Sequence, residues 1–114
     1  EDAVYNLSRS GLMTASLFSG ELQNLRVAVQ DRIHQPYRSG LIEHYDDVFR
    51  MSYELGSLGT YVSGAGPTII AMIDAENAEA FGRSCVTHLE DKGIQGWRVE
   101  ILSADPHGAQ IIIE

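Results

Sequence analysis

The sequence predicts an α+β two-layer domain, with a four-stranded, mostly antiparallel sheet and helices on one face. Three observations carry that prediction. Helical apolar stripes fill the chain up to about residue 55. Two β-branched runs then flank Gly64-Ala65-Gly66-Pro67. A further helical stripe and two more strand-like runs close the chain, so the order is α-α-α-β-β-α-β-β. With 114 residues, 44% of them hydrophobic, residues 1–114 suit one globular domain with a real core.

Taken in order, Val4, Leu7, Gly11, Ala15 and Phe18 recur every three or four residues. They predict a helix over residues 2–18, with Arg9 on its polar side. Glu1 and Asp2 place negative charge at its N-terminus, and Ser19-Gly20 stops it. Leu22, Leu25, Val29 and Ile33 predict a second helix over residues 21–33, packed on the first as a hairpin. Pro36 cannot continue a helix comfortably and disfavours the α region for Gln35, so the chain turns there, with Arg38 just beyond. A third helix, residues 44–55, carries Tyr45, Val48, Phe49, Ser52 and Leu55 on one side, and Gly56 closes it.

Residues 58–62 and 68–73 read as strands, the second apolar enough to suggest burial on both faces. Asp74 is placed to cap a helix over residues 75–91. Its stripe is Ala78, Phe81, Cys85 and Leu89, which makes Cys85 a small core residue rather than a nucleophile. Gly93 ends that helix. Trp97, Val99 and Ile101 alternate with Arg98, Glu100 and Leu102, as in a strand with one buried face. Asp105-Pro106-His107-Gly108 has turn chemistry, and residues 109–113 form the last expected strand.

Charge and composition exclude several function classes. The formal net charge is −8, with Lys92 the only lysine, which argues against a nucleic acid partner and disfavours anionic membranes. No apolar run approaches the ~20 residues of a membrane span. Cys85 is the only cysteine, so no internal disulfide forms, and a reducing cytoplasm fits best. His34, His44, His88 and His107 are scattered without metal-ligand spacing, so no metal site is expected. No GxxxxGK[ST] loop, GxGxxG fingerprint, HExxH helix or nucleophile triad spacing occurs, so no catalytic residue is assigned. The chain starts without Met and enters a helical pattern at once, which suggests a piece of a longer protein.

Two stretches carry candidate chemistry. In Ser63-Gly64-Ala65-Gly66-Pro67-Thr68, two glycines one residue apart allow backbone conformations that side-chain-bearing residues avoid. Successive N–H groups of such a turn can form a nest for an anion or a carbonyl oxygen. The same stretch also reads as an ordinary hairpin turn between core strands. In Asp31-Arg32-Ile33-His34-Gln35-Pro36-Tyr37-Arg38, the Arg38 guanidinium offers a planar fork of donors for a carboxylate or phosphate. It reads equally as an exposed Arg paired with one of the sixteen acidic residues. His34 reads as a packing or capping histidine.

Together these stretches resemble the homoserine kinase family, within the GHMP superfamily of small-molecule kinases. Residues 63–68 look like the third, C-terminal glycine-rich motif of that superfamily, and residues 31–38 are similar to the homoserine kinase segment that presents an Arg after a Pro. Asp2-Ala3-Val4-Tyr5-Asn6-Leu7-Ser8-Arg9 and Asp105-Pro106-His107-Gly108-Ala109 also look like homoserine kinase at matching places. The resemblance covers essentially the whole chain but only the C-terminal part of the family's length.

The resemblance implies a ferredoxin-like C-terminal, substrate-side domain, with the ATP-binding domain upstream of residue 1. It implies ATP-dependent, Mg²⁺-assisted phosphorylation of L-homoserine to O-phospho-L-homoserine, a step of threonine biosynthesis. Arg38 would grip the amino acid carboxylate together with a second Arg upstream of Glu1. Gly64 and Gly66 would line the substrate, and Ser63, Gly64, Ala65 and Gly66 would form the loop near the phosphate. The 114-residue chain alone would bind no cofactor and be inactive. Two alternatives stand beside this reading: another GHMP kinase acting on a different small alcohol, and a non-catalytic amino-acid-binding regulatory module. Oligomeric state stays open, a homodimer included.

Overall fold

In the computed structural model, which describes residues 1–112, the first helix α1 (Asp2–Ser19) ends where Gly20 takes a left-handed φ of 76°. Its inner face is not the expected stripe. Val4, Leu7 and Phe18 point outward, Phe18 at 91% exposure, while Ser16 is buried and Tyr5, Asn6, Arg9, Leu12 and Met13 are half-buried. Polar chemistry accounts for the choice. The Tyr5 hydroxyl donates to Gln30 Oε1 at 2.7 Å, and Asn6 Oδ1 accepts from the backbone N–H of Arg32 at 3.0 Å. A Val4–Leu7–Phe18 face offers no such bonds.

After a 3₁₀ turn at Leu22–Asn24, α2 (Leu25–Ala28) is a single helical turn. Leu25 is only 2% exposed and Val29 is buried, as their spacing predicts, but Ile33 is half exposed. The expected helix to residue 33 is cut short at Val29. The Asp31 carboxylate takes the backbone N–H groups of Ile33, His34 and Gln35, so these cannot reach back into α2. A new turn, α3 (Gln35–Arg38), begins instead. Pro36 therefore lies inside a helix start, where its missing N–H is an orphan anyway, and Gln35 is helical rather than extended.

Helix α4 (Tyr45–Glu54) turns Val48, Met51 and Ser52 inward. It closes at Gly56, where Gly56 N–H bonds the Tyr53 carbonyl at 3.2 Å and Ser57 N–H the Ser52 carbonyl at 2.9 Å. Strand β1 (Gly59–Val62) then pairs antiparallel with β2 (Ile69–Met72), in the register Gly59↔Met72 to Val62↔Ile69. All four β2 residues are half-buried, short of the burial expected from so apolar a run. Gly59 is required by close packing. A Cβ there would lie 3.1 Å from the Leu25 carbonyl oxygen and 3.2 Å from Val29 Cγ1. Thr60, 1% exposed, ties the hairpin to α4: its Oγ1 lies 2.7 Å from Ser52 Oγ and donates to Ser57 Oγ at 2.9 Å.

A 3₁₀ turn at Ala75–Asn77 leads into α5 (Ala78–Asp91). Asp74 precedes it in extended conformation, but its side chain makes no capping bond. Cys85 and Leu89 of α5 join Val48 and Met51 of α4 in one buried cluster. Leu55, Ile69, Phe81, Ile94, Trp97 and Val99 pack around it. Ile94 N–H bonds the Leu89 carbonyl and Gly93 N–H the Glu90 carbonyl, at 2.9 and 3.0 Å, which ends α5.

The sheet of the described residues has two strands, not four. Residues 97–100 keep their alternation, with Trp97 and Val99 half-buried and Arg98 and Glu100 outward and ion-paired at 3.0 Å, but Ile101 is 46% exposed and residues 97–102 join no ladder. Ile101 meets α5 at Gly82, where a Cβ would come within 2.9 Å of Ile101 Cδ1. The side-chain face of this run is thus taken by α5, while its backbone edges meet no partner strand among the described residues. Residues 106–107 form the expected turn, with His107 N–H on Asp105 Oδ1 at 2.8 Å. Residues 109–112 form no strand, and Ile113 lies outside the described residues. No helix of the described residues is long and apolar enough to cross a membrane.

Candidate functional site

The glycine loop joins β1 to β2. Its frame is closed by Ser63 N–H bonding the Thr68 carbonyl at 2.8 Å and Gly66 N–H bonding the Ser63 carbonyl at 3.0 Å. Gly64 and Gly66 both have left-handed φ, 54° and 79°. That conformation is strained for side-chain-bearing residues, which explains glycine at both positions. The Gly66 site is also tight, since a Cβ would meet Ile42 Cδ1 at 3.2 Å and Val62 Cγ1 at 3.3 Å. Among the described residues, the N–H groups of Gly64 and Ala65 make no hydrogen bond. Two adjacent unpaired donors suit an anion or a carbonyl oxygen.

The Arg38 segment is fastened to this loop from both sides. Before Arg38, His34 Nε2 lies 2.7 Å from the Gly64 carbonyl oxygen. The Gln35 side chain accepts from Val62 N–H at 2.9 Å and donates to the Val29 carbonyl at 3.0 Å. After Arg38, Ile42 packs against Gly66. Residues distant in sequence are thereby brought into one place, with α3 carrying Arg38 between two loop contacts. Arg38 is the last residue of that helical turn rather than part of an open loop. Its Nε is buried without a hydrogen-bond partner, and the ion pairs of the described residues do not include it. A half-buried guanidinium left unpaired is ready to take a carboxylate or phosphate.

Asp31 anchors the whole segment. Besides the three backbone N–H groups, it accepts from Asn6 Nδ2 of α1. Partial burial pushes its carboxyl pKa up, but the bonds from Asn6, Gln35, Ile33 and His34 outweigh this and hold it at about 2. The stretches at residues 2–9 and 31–38, noted separately in the sequence, thus meet in space. Arg9 belongs to the same packing, with its guanidinium 4.2 Å from the Tyr5 ring centroid, and takes no place at the loop.

A cavity of about 630 Å³ lies behind this segment, bounded by Tyr5, Arg32, Gln35, Tyr53 and Thr60 among others. Arg38 and the glycine loop do not line it. Cys85 is 4% exposed, and burial pushes its thiol up to about 11, which suits a core residue and not a nucleophile.

Reading the sequence missed Asn6, Asp31, Gln35 and Ile42, and assigned His34 no part in the site. One signal was available: an Asp shortly before a Pro-containing turn is a place where a carboxylate collects backbone N–H groups. The contacts of His34 and Gln35 with residues 27 to 30 positions away have no local signature.

Comparison with known proteins places this geometry. The chain is 47% identical over 111 residues to a homoserine kinase of Clostridium botulinum and 48% identical over 112 residues to that of Clostridium beijerinckii. These alignments cover 97% and 98% of the chain but only 37% of each relative, so the chain spans little more than a third of the proteins it matches. A crystal structure of homoserine kinase from Cytophaga hutchinsonii is similar with a TM-score of 0.69 and 30% identity, over 80% of this chain and 29% of that one. The sequence model described as GHMP kinases C terminal matches residues 12–91, more than half of the chain and including both α3 and the glycine loop, and the chain therefore belongs to the GHMP kinase family, in its C-terminal part.

Proposed function

We propose that this chain is the C-terminal, substrate-side domain of a homoserine kinase. The reaction moves the γ-phosphoryl group of ATP to the side-chain hydroxyl of L-homoserine. The hydroxyl oxygen forms a bond to phosphorus, the bond to the ADP oxygen breaks, and the hydroxyl proton leaves to water. The product, O-phospho-L-homoserine, is an intermediate of threonine biosynthesis. One observation carries the reading: Arg38 presents an unpaired, half-buried guanidinium on a segment fastened at both ends to the glycine loop.

Phosphoryl transfer depends mainly on positioning and charge stabilisation, with little covalent work for the protein. Arg38 binds the amino acid carboxylate through a forked pair of bonds and so aims the hydroxyl. The free N–H groups of Gly64 and Ala65 hold negative charge beside it. Among the described residues no three His, Cys, Asp or Glu side chains gather into a metal site. Mg²⁺ in nucleotide sites is held by one or two carboxylates together with the phosphates, so it would travel with the nucleotide-binding part of the longer protein. Nucleotide binding belongs to the rest of the longer protein, and the 114-residue chain alone is inactive.

In the complete protein the sheet is ferredoxin-like and four-stranded, with residues 97–102 and 109–112 in the further strands. The alternation of Trp97 and Val99 against Arg98 and Glu100 supports this. Slow amide exchange across residues 97–102 in the full-length protein is expected, and exchange at unfolded-chain rates would restrict the sheet to the hairpin.

The functional test is ADP release by the full-length protein with ATP, Mg²⁺ and L-homoserine, next to other small alcohols. Arg38→Ala should reduce kcat/KM for homoserine by about 2–4 kcal/mol, the range for removing one partner of a buried charge pair. An unchanged kcat/KM would remove Arg38 from the site. Turnover of another alcohol but not homoserine would make this a different GHMP kinase, and amino acid binding without turnover would make it a regulatory module.

A further inference from the structure

We infer that His34 is a positioning residue that sets the direction of the anion-holding N–H of the glycine loop, an inference that rests on the proposed kinase site. His34 Nε2 lies 2.7 Å from the Gly64 carbonyl oxygen, thirty residues away. A carbonyl only accepts, so Nε2 carries the proton and donates. The bond fixes which way the Gly64 carbonyl points. A peptide unit is planar and trans, so its C=O and N–H point to opposite sides. Drawing the Gly64 carbonyl toward His34 therefore turns the Ala65 N–H away from His34, to the other side of the loop.

That fixation matters because of the residue type. Gly64 has φ 54° and open space around its Cα, so nothing local prevents the Gly64–Ala65 peptide from rotating. The loop's own two bonds, at Ser63 and Gly66, both leave this peptide unit free. His34 supplies the missing constraint. Its own backbone is held in turn, since its N–H donates to Asp31 Oδ2 at 2.8 Å. The next residue, Gln35, ties the same segment to β1 through Val62 and to the end of α2 through Val29. The chain of contacts runs from α1 through Asn6, Asp31 and His34 to the loop. Its output is a preset donor where negative charge gathers during transfer.

The ligand class is an anion, and the effect belongs to the transition state, because Arg38 carries the ground-state carboxylate. His34→Leu removes the donor at similar bulk. His34→Gln keeps an N–H donor within reach of the same carbonyl. In the full-length protein, His34→Leu should lower kcat with homoserine by up to about 100-fold, the scale of a misplaced catalytic group, with KM for homoserine little changed. His34→Gln should recover most of the loss, and both variants should melt close to the parent.

An activity-independent readout accompanies the kinetics: the amide resonances of Gly64 and Ala65 in the ¹⁵N-labelled full-length protein. They should broaden or double in His34→Leu and return to single lines in His34→Gln. Unchanged Gly64 and Ala65 resonances in His34→Leu would overturn the inference, as would kinetics equal to the parent. An equal fall in both variants with lowered melting temperatures would also overturn it, leaving His34 a packing residue. If the parent itself does not use homoserine while the resonances respond as expected, the kinase reading fails and the loop clamp stands.

Discussion

Asp31→Asn should destabilise the protein by about 2 kcal/mol at neutral pH, although Asn and Asp are nearly equal as ordinary helix caps. The difference comes from how fully the carboxylate is used. Oδ1 accepts from Asn6 Nδ2 and Ile33 N–H, and Oδ2 accepts from His34 and Gln35 N–H. An amide keeps one oxygen and replaces the other with two donors that face donors. Two of the four bonds are lost, each worth about 1 kcal/mol net. The pH dependence follows from the carboxyl being held at about 2, below its ordinary range. Its folded pKa is depressed, so its contribution is fully present above about pH 4 and is lost as pH falls toward 2. Urea denaturation of the parent and Asp31→Asn between pH 7 and pH 2.5 measures this directly. The gap between them should narrow across the lower part of that range, since the folded carboxyl is only partly protonated at pH 2.5. A gap under about 0.5 kcal/mol at pH 7, as for a simple cap exchange, would refute the four-donor account. So would a gap that does not change with pH.

Three further substitutions probe other parts of the structure. Thr60→Val keeps the shape but removes the bonds of Thr60 Oγ1 with Ser52 and Ser57, each of which keeps a backbone carbonyl partner, so denaturant melts should record a loss of about 1–2 kcal/mol, the net worth of two hydrogen bonds. Gly66→Ala meets a left-handed φ together with Ile42 and Val62 at 3.2 and 3.3 Å, whereas Gly64→Ala meets only the φ. Both should destabilise by about 1–2 kcal/mol from backbone conformation, with Gly66→Ala the worse of the two in thermal melts. Cys85, with its thiol raised to about 11, should react with iodoacetamide at pH 8 only after denaturation, and rapid native labelling would show that α5 opens.

The fold was legible where one packing demand governs a segment. Val48, Cys85 and Leu89 repeat at helical spacing and do form the core between α4 and α5, joined by Met51, which the expected stripe left out. Reading failed where two demands compete. On α1 the apolar stripe of Val4, Leu7 and Phe18 lost the interior to Tyr5 and Asn6, whose value lies in bonds to a turn some 25 residues on. Apolar spacing carries no information about such bonds. The same limit applies to Leu22–Ile33. Its stripe is continuous, but Asp31 offers the backbone a stronger set of partners than another helical turn. At residues 97–100 the alternation was real, but alternation states only which side is buried, and a helix can bury it as well as a sheet.

For the proposed site, the left-handed glycines and the candidate Arg38 could be named from the sequence because backbone conformation and the guanidinium fork act locally. What joins them was not. A glycine loop is chosen for freedom of conformation, yet holding charge requires one fixed conformation, so the constraint has to come from elsewhere in the chain. Here it comes from His34 and Gln35, which sit on the segment that carries Arg38. In the proposed site one segment then does two things: it supplies the cation and it fixes the loop. A shift of α3 that displaced Arg38 would also release the Gly64 carbonyl. The carboxylate grip and the loop donors should then fail together, whereas Arg38→Ala should spare the loop. Comparing Asp31→Asn with Arg38→Ala separates the two cases, because only the first should disturb both KM for homoserine and the Ala65 amide resonance. A normal Ala65 resonance in Asp31→Asn would mean that loop and cation are held independently.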